Sequence, residues 1–382
     1  MLLLKKNRLD RARAATRTAD KLAEVRSMLA TAVTVELSTL PPYLSAALSV
    51  APHSQTNHDA VKLVQSVAVE EMLHMTLAAN TLIAVGGNPV INDPATLPHY
   101  PGSLPDIAPG LVVTTAALSR EQARTVFMGI ERPDTKARLP GETPEEHARA
   151  VAMLADPEYV SIGDYYAEIK RQLTELARQD PALFAHPRID QQVPAARYFN
   201  VDFKVNPLGY VDSLASALDA IDLIVEQGEG VQIEEDPINP YTGRRGELSH
   251  YFKFGEIAYG HRLVRNPEDP SGWSYTGDPV ALEGVPPIVR NASLEDYPEG
   301  SVAHLPAQAF FNTYVRLLNA LHLTFNGEPA RLSDALSVMY ELRLAAFKVT
   351  GIPVGDEAAG NGSQITLMGG PPFQARRVAP PT

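Results

Sequence analysis

The stretch Val67–Asn80, VAVEEMLHMTLAAN, restricts the fold more than any other part of the chain. It sets Glu71 and His74 one helical turn apart, so both side chains reach one point from a single helix face. That face is otherwise apolar: Val64, Val67, Ala68, Met75, Ala78 and Leu82 share its stripe. A carboxylate and an imidazole buried among Val, Met and Leu are costly unless a cation or hydrogen-bond partners compensate them. The rest of the chain must bring those groups to this helix.

Apolar spacing at Leu22, Val25, Leu29, Ala32, Val33 and Leu40 predicts a helix over about 20–40, with Asp20 as N-cap and Pro41-Pro42 ending or kinking it. Glu36 falls within its apolar stripe. The second helix runs over about 59–85 and stops at Gly86-Gly87; a short connection makes the two antiparallel neighbours. Residues 88–208, which open with a stretch rich in Pro, Gly and Asn over about 88–118, read as an insertion or crossover between core helices. Within them Leu111–Ala117 suggests a short strand, Ser119-x-x-Gln122 opens a helix to Ile130, and helices fall around 144–154 and 161–178, before loops and strands over 182–208. Core helices follow over about 211–227 and 243–264, then extra helices over 305–325 and 331–349. Residues 1–350 read as one domain and 351–382 as a Gly/Pro-rich tail.

The helix at 243–264 carries Glu247-x-x-His250. With 45 acidic residues and 10 histidines in 382, about one acidic-x-x-His match arises by chance. Two occur, both begin with Glu, and both lie in apolar helices. The two remaining core helices each offer an inward carboxylate, Glu36 and Glu226, with Asp222 and Glu229 as alternatives to Glu226. The order Glu, Glu-x-x-His, long crossover, Glu, Glu-x-x-His is that of the ferritin-like dinuclear carboxylate bundles. The expected fold is therefore all-α: a ferritin-like four-helix bundle with a long helix 2–3 crossover insertion and extra C-terminal helices.

The chemistry explains the residue types. Two cations about 3.5–4 Å apart need bridging carboxylates and an imidazole each. Glu71 and Glu247 would bridge, Glu36 and Glu226 would be terminal, and His74 and His250 would each take one metal. Glu70 points about a quarter turn away from Glu71, toward solvent or a contact behind the ligands. Tyr43, Tyr166, His186, Tyr251 and His322 read as core or surface residues.

Composition removes other functions. The absence of cysteine excludes disulfides, thiolate zinc sites, iron–sulfur clusters and Cys nucleophiles, leaving oxygen and imidazole donors. A formal net charge of −12 argues against nucleic acid or an anionic membrane as partner. No signal-peptide core or membrane-length apolar run is present, so a cytoplasmic location is expected.

The phrases around these residues carry a resemblance. VELSTLPPYLSAALS, VEEMLHMTLAANTLIAVGGNP, YPGSLP, SIGDYYAEI, IVEQGEG, ELSHYFKFGEI and FNTYVRLLNAL resemble one branch of the ferritin-like superfamily, over about Lys21 to Phe325. That branch is defined by the iminophenylpyruvate dimer synthase domain of violacein-type bisindole biosynthesis, and the chain reads as a stand-alone member. The resemblance implies a four-helix core with additional helices and a non-haem dinuclear centre. Iron is the first choice of metal; manganese or a mixed pair suits the same donors. The family enzyme couples two imines derived from an oxidised aromatic amino acid. The expected function is an oxygen-dependent di-iron oxidase or oxygenase acting on a small organic metabolite, such as an amino-acid-derived imine. Its partners would be dioxygen and that substrate, with a homo-oligomer left open. The alternative is a ferroxidase or iron-handling protein.

Overall fold

The structure is a computed structural model describing residues 3–15, 17–52, 54–102, 111–199, 201–229, 248–358 and 364–374. A short helix, α1 (Asn7–Ala14), precedes the two longest elements, α2 (Thr18–Ser49) and α3 (His58–Ala84), which pack along each other. The expected second helix thus appears within one residue at each end. The first does not end at Pro41-Pro42 but continues to Ser49. Pro42 cannot donate to the carbonyl four residues back. That carbonyl, on Ser38, instead accepts the Tyr100 hydroxyl at 2.6 Å. A side chain from outside the helix satisfies what the proline leaves open, and the helix survives.

After α3 come α4 (Arg120–Gln122), a π-helical turn (Ala123–Phe127) and α5 (Met128–Ile130), which form one continuous segment. The Ser119 hydroxyl accepts from the Gln122 amide at 3.0 Å, as the sequence predicts for this start. A capping box between Thr143 and Glu146 opens α6 (Pro144–Leu154). Strand β1 (Leu3–Lys5) pairs antiparallel with β2 (Tyr159–Ser161), and α7 (Ile162–Gln179) follows directly. After α8 (Ala195–Phe199), the Ser213–Ser216 pair starts α9 (Leu214–Glu229).

Helix α7 packs on α2 and α9, and α9 packs on α3, so α2, α3, α9 and α7 close a four-helix arrangement. Residues 162–179, expected within the insertion, therefore supply a wall of the bundle. Their amphipathic spacing explains it: Tyr165, Tyr166, Ile169, Leu173 and Leu176 are all buried. On the same helix Glu168 receives Arg13 from α1 and Arg171 from its own next turn, which ties α1 to α7.

The helix expected over 243–264 is described only as α10 (His250–Tyr259). It ends at Gly260, whose φ of 78° is the left-handed conformation that glycine adopts without strain. The chain then reverses into β3 (His261–Arg265), paired antiparallel with β4 (Trp273–Pro279). Tyr275 of β4 packs against α10 at Gly255; a Cβ on Gly255 would lie 1.9 Å from the Tyr275 hydroxyl. The paired helices α11 (His304–Thr324) and α12 (Leu332–Thr350) match the expected extra helices, and α12 packs on α2. The tail contributes a hairpin, β5 (Pro353–Ala358) and β6 (Gln364–Met368), and then Phe373, which packs edge-on to Phe310 and Tyr314.

The short strand expected at 111–117 reduces to a single bridge between Gly102 and Val113, and the described residues of 182–208 hold α8 and a 3-10 turn rather than strands. Among the described residues no helix is long and apolar enough to cross a membrane.

Candidate metal centre

Two continuous helices and several helix ends meet at one point. Helix α2 presents Glu36 and α3 presents Glu71 and His74, all three buried. Opposite them, α5 gives way to Glu131, α10 begins at His250, and Ile162 at the start of α7 and Gly228 near the end of α9 complete the wall. Apart from His250, these residues line a cavity of about 30 Å³. That is room for about two water-sized groups.

The donors form two triads that share Glu71: Glu36, Glu71 and His74 in one, Glu71, Glu131 and His250 in the other. In each, the donor atoms lie within 4.8 Å of one another. His74 Nδ1 lies 3.6 Å from Glu71 Oε1 and 3.8 Å from Glu36 Oε2. His250 Nδ1 lies 2.9 Å from the same Glu71 Oε1 and 3.3 Å from Glu131 Oε2. The two imidazoles stack, with ring centroids 5.4 Å apart.

Each imidazole turns Nδ1 inward and gives Nε2 to an outer acceptor: Gln227 Oε1 at 2.9 Å for His74, Glu70 Oε2 at 2.8 Å for His250. An outer acceptor of this kind fixes the tautomer that leaves Nδ1 free to bind a metal. Glu70 is in turn held by Lys253 Nζ at 2.8 Å from both of its oxygens. The carboxylates are oriented too. Tyr166 donates to Glu36 Oε1 at 2.5 Å, Tyr43 donates to Glu131 Oε1, and the Thr39 hydroxyl lies 2.7 Å from Glu71 Oε2. Tyr43 also packs with Phe127 of the π turn and Phe254 of α10 at centroid separations of 5.0 and 4.9 Å. This aromatic cluster braces the two segments that deliver Glu131 and His250.

The electrostatics are those of a site short of positive charge. Burial and the nearby Glu71 push Glu36 well above the ordinary carboxylate range and raise Glu131 as well. Burial opposes ionisation of Glu71 too, but the neighbouring His250 and His74 imidazoles outweigh it and hold Glu71 low. For Glu70 the Lys253 charge overcomes burial, bringing the carboxyl down to about 2. Burial disfavours charge on His250, yet Glu131 and its other carboxylate neighbours raise it well above the imidazole range. A metal-binding site is where such crowding is expected, because a cation relieves it.

The donors fit a dinuclear centre on their own chemistry: a shared carboxylate, one further carboxylate and one imidazole on each side, and no thiolate. The placement of the sequence candidates differs among them. Glu36, Glu71, His74 and His250 come together. Glu226 does not: it is exposed on α9, where the neighbouring Val225 and Gly228 face the cavity. Asp222 is also exposed and pairs with Lys170. Glu247 and the side chain of Glu229 lie outside the described residues. Glu70 is buried against His250 rather than turned to solvent, and Tyr43 and Tyr166, read as ordinary core or surface residues, touch the donor carboxylates.

Glu131 carried no motif. One signal was available: it directly follows a predicted helix, where the negative end of the helix dipole disfavours an anion unless a cation compensates it.

This fold and donor set define a class. A family model described as ferritin-like matches residues 29–259, and the chain belongs to the ferritin-like family. Among individual proteins, it is 27% identical over 287 residues to dichlorochromopyrrolate synthase of Lentzea aerocolonigenes. The match covers 69% of this chain but 24% of that protein, so the chain spans about a quarter of that relative's length. A crystal structure of a ferritin-like protein from Caulobacter vibrioides shares the fold, with a TM-score of 0.50 and 19% identity, over 85% of this chain and 93% of that one.

Proposed function

We propose that the protein is a non-haem dinuclear metal oxidase or oxygenase, with iron as its metal, acting on a small organic metabolite. The observation that carries this reading is the pair of buried triads sharing Glu71. Glu36, Glu71 and His74 would hold one cation and Glu71, Glu131 and His250 the other. The sequence-based candidates Glu226 and Glu247 are not needed by this set. Manganese or a mixed pair suits the same donors.

When bound, the metal pair supplies the activation of dioxygen. The chain's own residues do the rest. Gln227 and Glu70 hold the imidazole tautomers, and Tyr166, Tyr43 and Thr39 fix the carboxylate oxygens. Val35, Ile162, Ile224 and Val225 line the cavity and keep bulk water from it. The three inner carboxylates would offset three of the four positive charges of two divalent cations. Likeness to dichlorochromopyrrolate synthase supports an enzyme, and the resemblance carried by the sequence phrases makes an amino-acid-derived imine the first substrate class to test. The ferroxidase alternative would treat iron itself as substrate.

Metal analysis of protein purified without an affinity tag tests the reading. About two equivalents of iron or manganese per chain are expected, lost in Glu71→Ala and His250→Ala. No metal, with no uptake of ferrous iron under anaerobic conditions, would overturn it. Oxygen consumption that continues only while ferrous iron is being added would favour the ferroxidase.

A further inference from the structure

A second cavity, of about 50 Å³, lies where α11 and α12 cover the backs of α2 and α3. Leu37, Met72 and Met75 in its wall directly follow the donors Glu36, Glu71 and His74. A helix turns by about 100° per residue, so these side chains leave the metal-facing sides of α2 and α3 and meet the added helices instead. Leu317, Leu321 and Ala335 close the space from the α11–α12 side.

The wall is almost wholly apolar. Its polar side chains are Thr76, whose hydroxyl donates to the Met72 carbonyl at 2.8 Å, and Tyr314, which is 5% exposed. A buried water needs about two to four polar partners, more than the Tyr314 hydroxyl supplies, so water is held poorly here. Since about 10–15 Å³ accommodates one water-sized group, the cavity has room for about three or four heavy atoms. That excludes an ordinary metabolite, and the wall offers no charge to hold one. A small non-polar molecule, by contrast, gains dispersion contacts there and gives up no hydrogen bond on leaving water. Leu44, Met72, Leu336 and Met339 are half-buried, so the cavity approaches the surface on one side. Flexible methionine side chains at that edge can swing aside to admit a molecule of this size.

We propose that this cavity is a binding site for a non-polar gas molecule, with dioxygen as the physiological ligand. Dioxygen meets each requirement: it is small enough, uncharged, and carries no donor to satisfy. The site would hold it against the same two helices that carry Glu36, Glu71 and His74, and so raise its concentration beside the metals. The non-polar site stands by itself; the choice of dioxygen rests on the function proposed above.

Xenon, which enters dry apolar cavities and is located by its anomalous scattering, tests the site in pressurised crystals of the full chain. An ordered xenon is expected between α2, α3, α11 and α12. Ala335→Leu enlarges the wall by about three carbons and should exclude it. Because those carbons replace empty space, the variant should melt within about 2 °C of wild type or above it. No xenon between these helices in the wild type, xenon retained in Ala335→Leu, or a fall in melting temperature beyond about 2 °C would each overturn the site. Stopped-flow mixing of the anaerobic, ferrous-loaded protein with dioxygen tests the ligand. Ala335→Leu should slow the reaction severalfold at low dioxygen with metal content unchanged. An unchanged rate in a variant that has lost its xenon would overturn the assignment to dioxygen. Metal content is read independently in the same preparations, so either failure leaves the dinuclear reading standing.

Discussion

Replacing Glu131 by Gln separates the pair of triads sharing Glu71 from the site that spacing alone suggests. The amide keeps the shape and one oxygen of the acid but removes its charge. A carboxylate about 4 Å from a divalent cation, at an effective dielectric constant of about 20, contributes about 8 kcal/mol. Much of that is offset, because burial and Glu71 push the Glu131 carboxyl up, which disfavours the ionised form that metal binding needs. Even a quarter, about 2 kcal/mol, lowers affinity about thirtyfold. The metal-free protein should hardly notice the change, since glutamine keeps the shape of the acid and can still accept from Tyr43. Unfolding entropy of about 2.1 cal/mol/K per residue means that 1 kcal/mol shifts the melting temperature of a 382-residue chain by about 1–2 °C. The expected outcome is a metal-free melting temperature within about 2 °C of wild type and a fall from two equivalents to one. Elemental analysis after equilibrium dialysis against anaerobic ferrous iron reads it. Glu226→Gln, at an exposed position, should retain both equivalents. Two tightly held metals in Glu131→Gln, or the loss of one in Glu226→Gln, would refute the assignment.

Further tests address the supporting residues. Gln227→Leu removes the acceptor on His74 Nε2 and should weaken metal binding about tenfold to a hundredfold in the same dialysis. Tyr100→Phe leaves the Ser38 carbonyl inside α2 unpaired; chemical denaturation should show a loss of about 1–3 kcal/mol with metal content unchanged. Burial pushes the Glu168 carboxyl up, but hydrogen bonds from Arg171, Gln172 and Arg13 outweigh it and hold it below its ordinary value of 4.5. A folded value below the unfolded one gives stabilisation that is present above pH 4.5 and lost as pH falls through the folded value. Glu168→Gln should therefore melt below wild type at pH 7 and approach it under acid conditions, whereas parallel curves from pH 7 to 3 would contradict this account.

The sequence by itself determined the helical class, the span of α3 and the inward position of Glu36, Glu71 and His74. These follow from a local rule: apolar residues every three to four positions place a polar residue within the stripe on the buried face. The N-cap at Ser119 and the helices near 305–325 and 331–349 were legible for the same reason. Other features needed the tertiary structure, because the deciding partner is distant in the chain. Helix α2 survives Pro42 through Tyr100, α10 begins and ends within bounds that its apolar spacing does not mark, and α7 joins the bundle from within a stretch read as crossover. Glu131 is the clearest case. It sits at a helix end with no periodic companion, and only the packing of the π turn against Tyr43 and Phe254 brings it to His250. Conversely, Glu226 lies one residue from Val225 along α9, and the 100° turn between neighbouring helical positions is enough to leave it in solvent. Spacing defines which residues share a face; only packing decides which face meets the others.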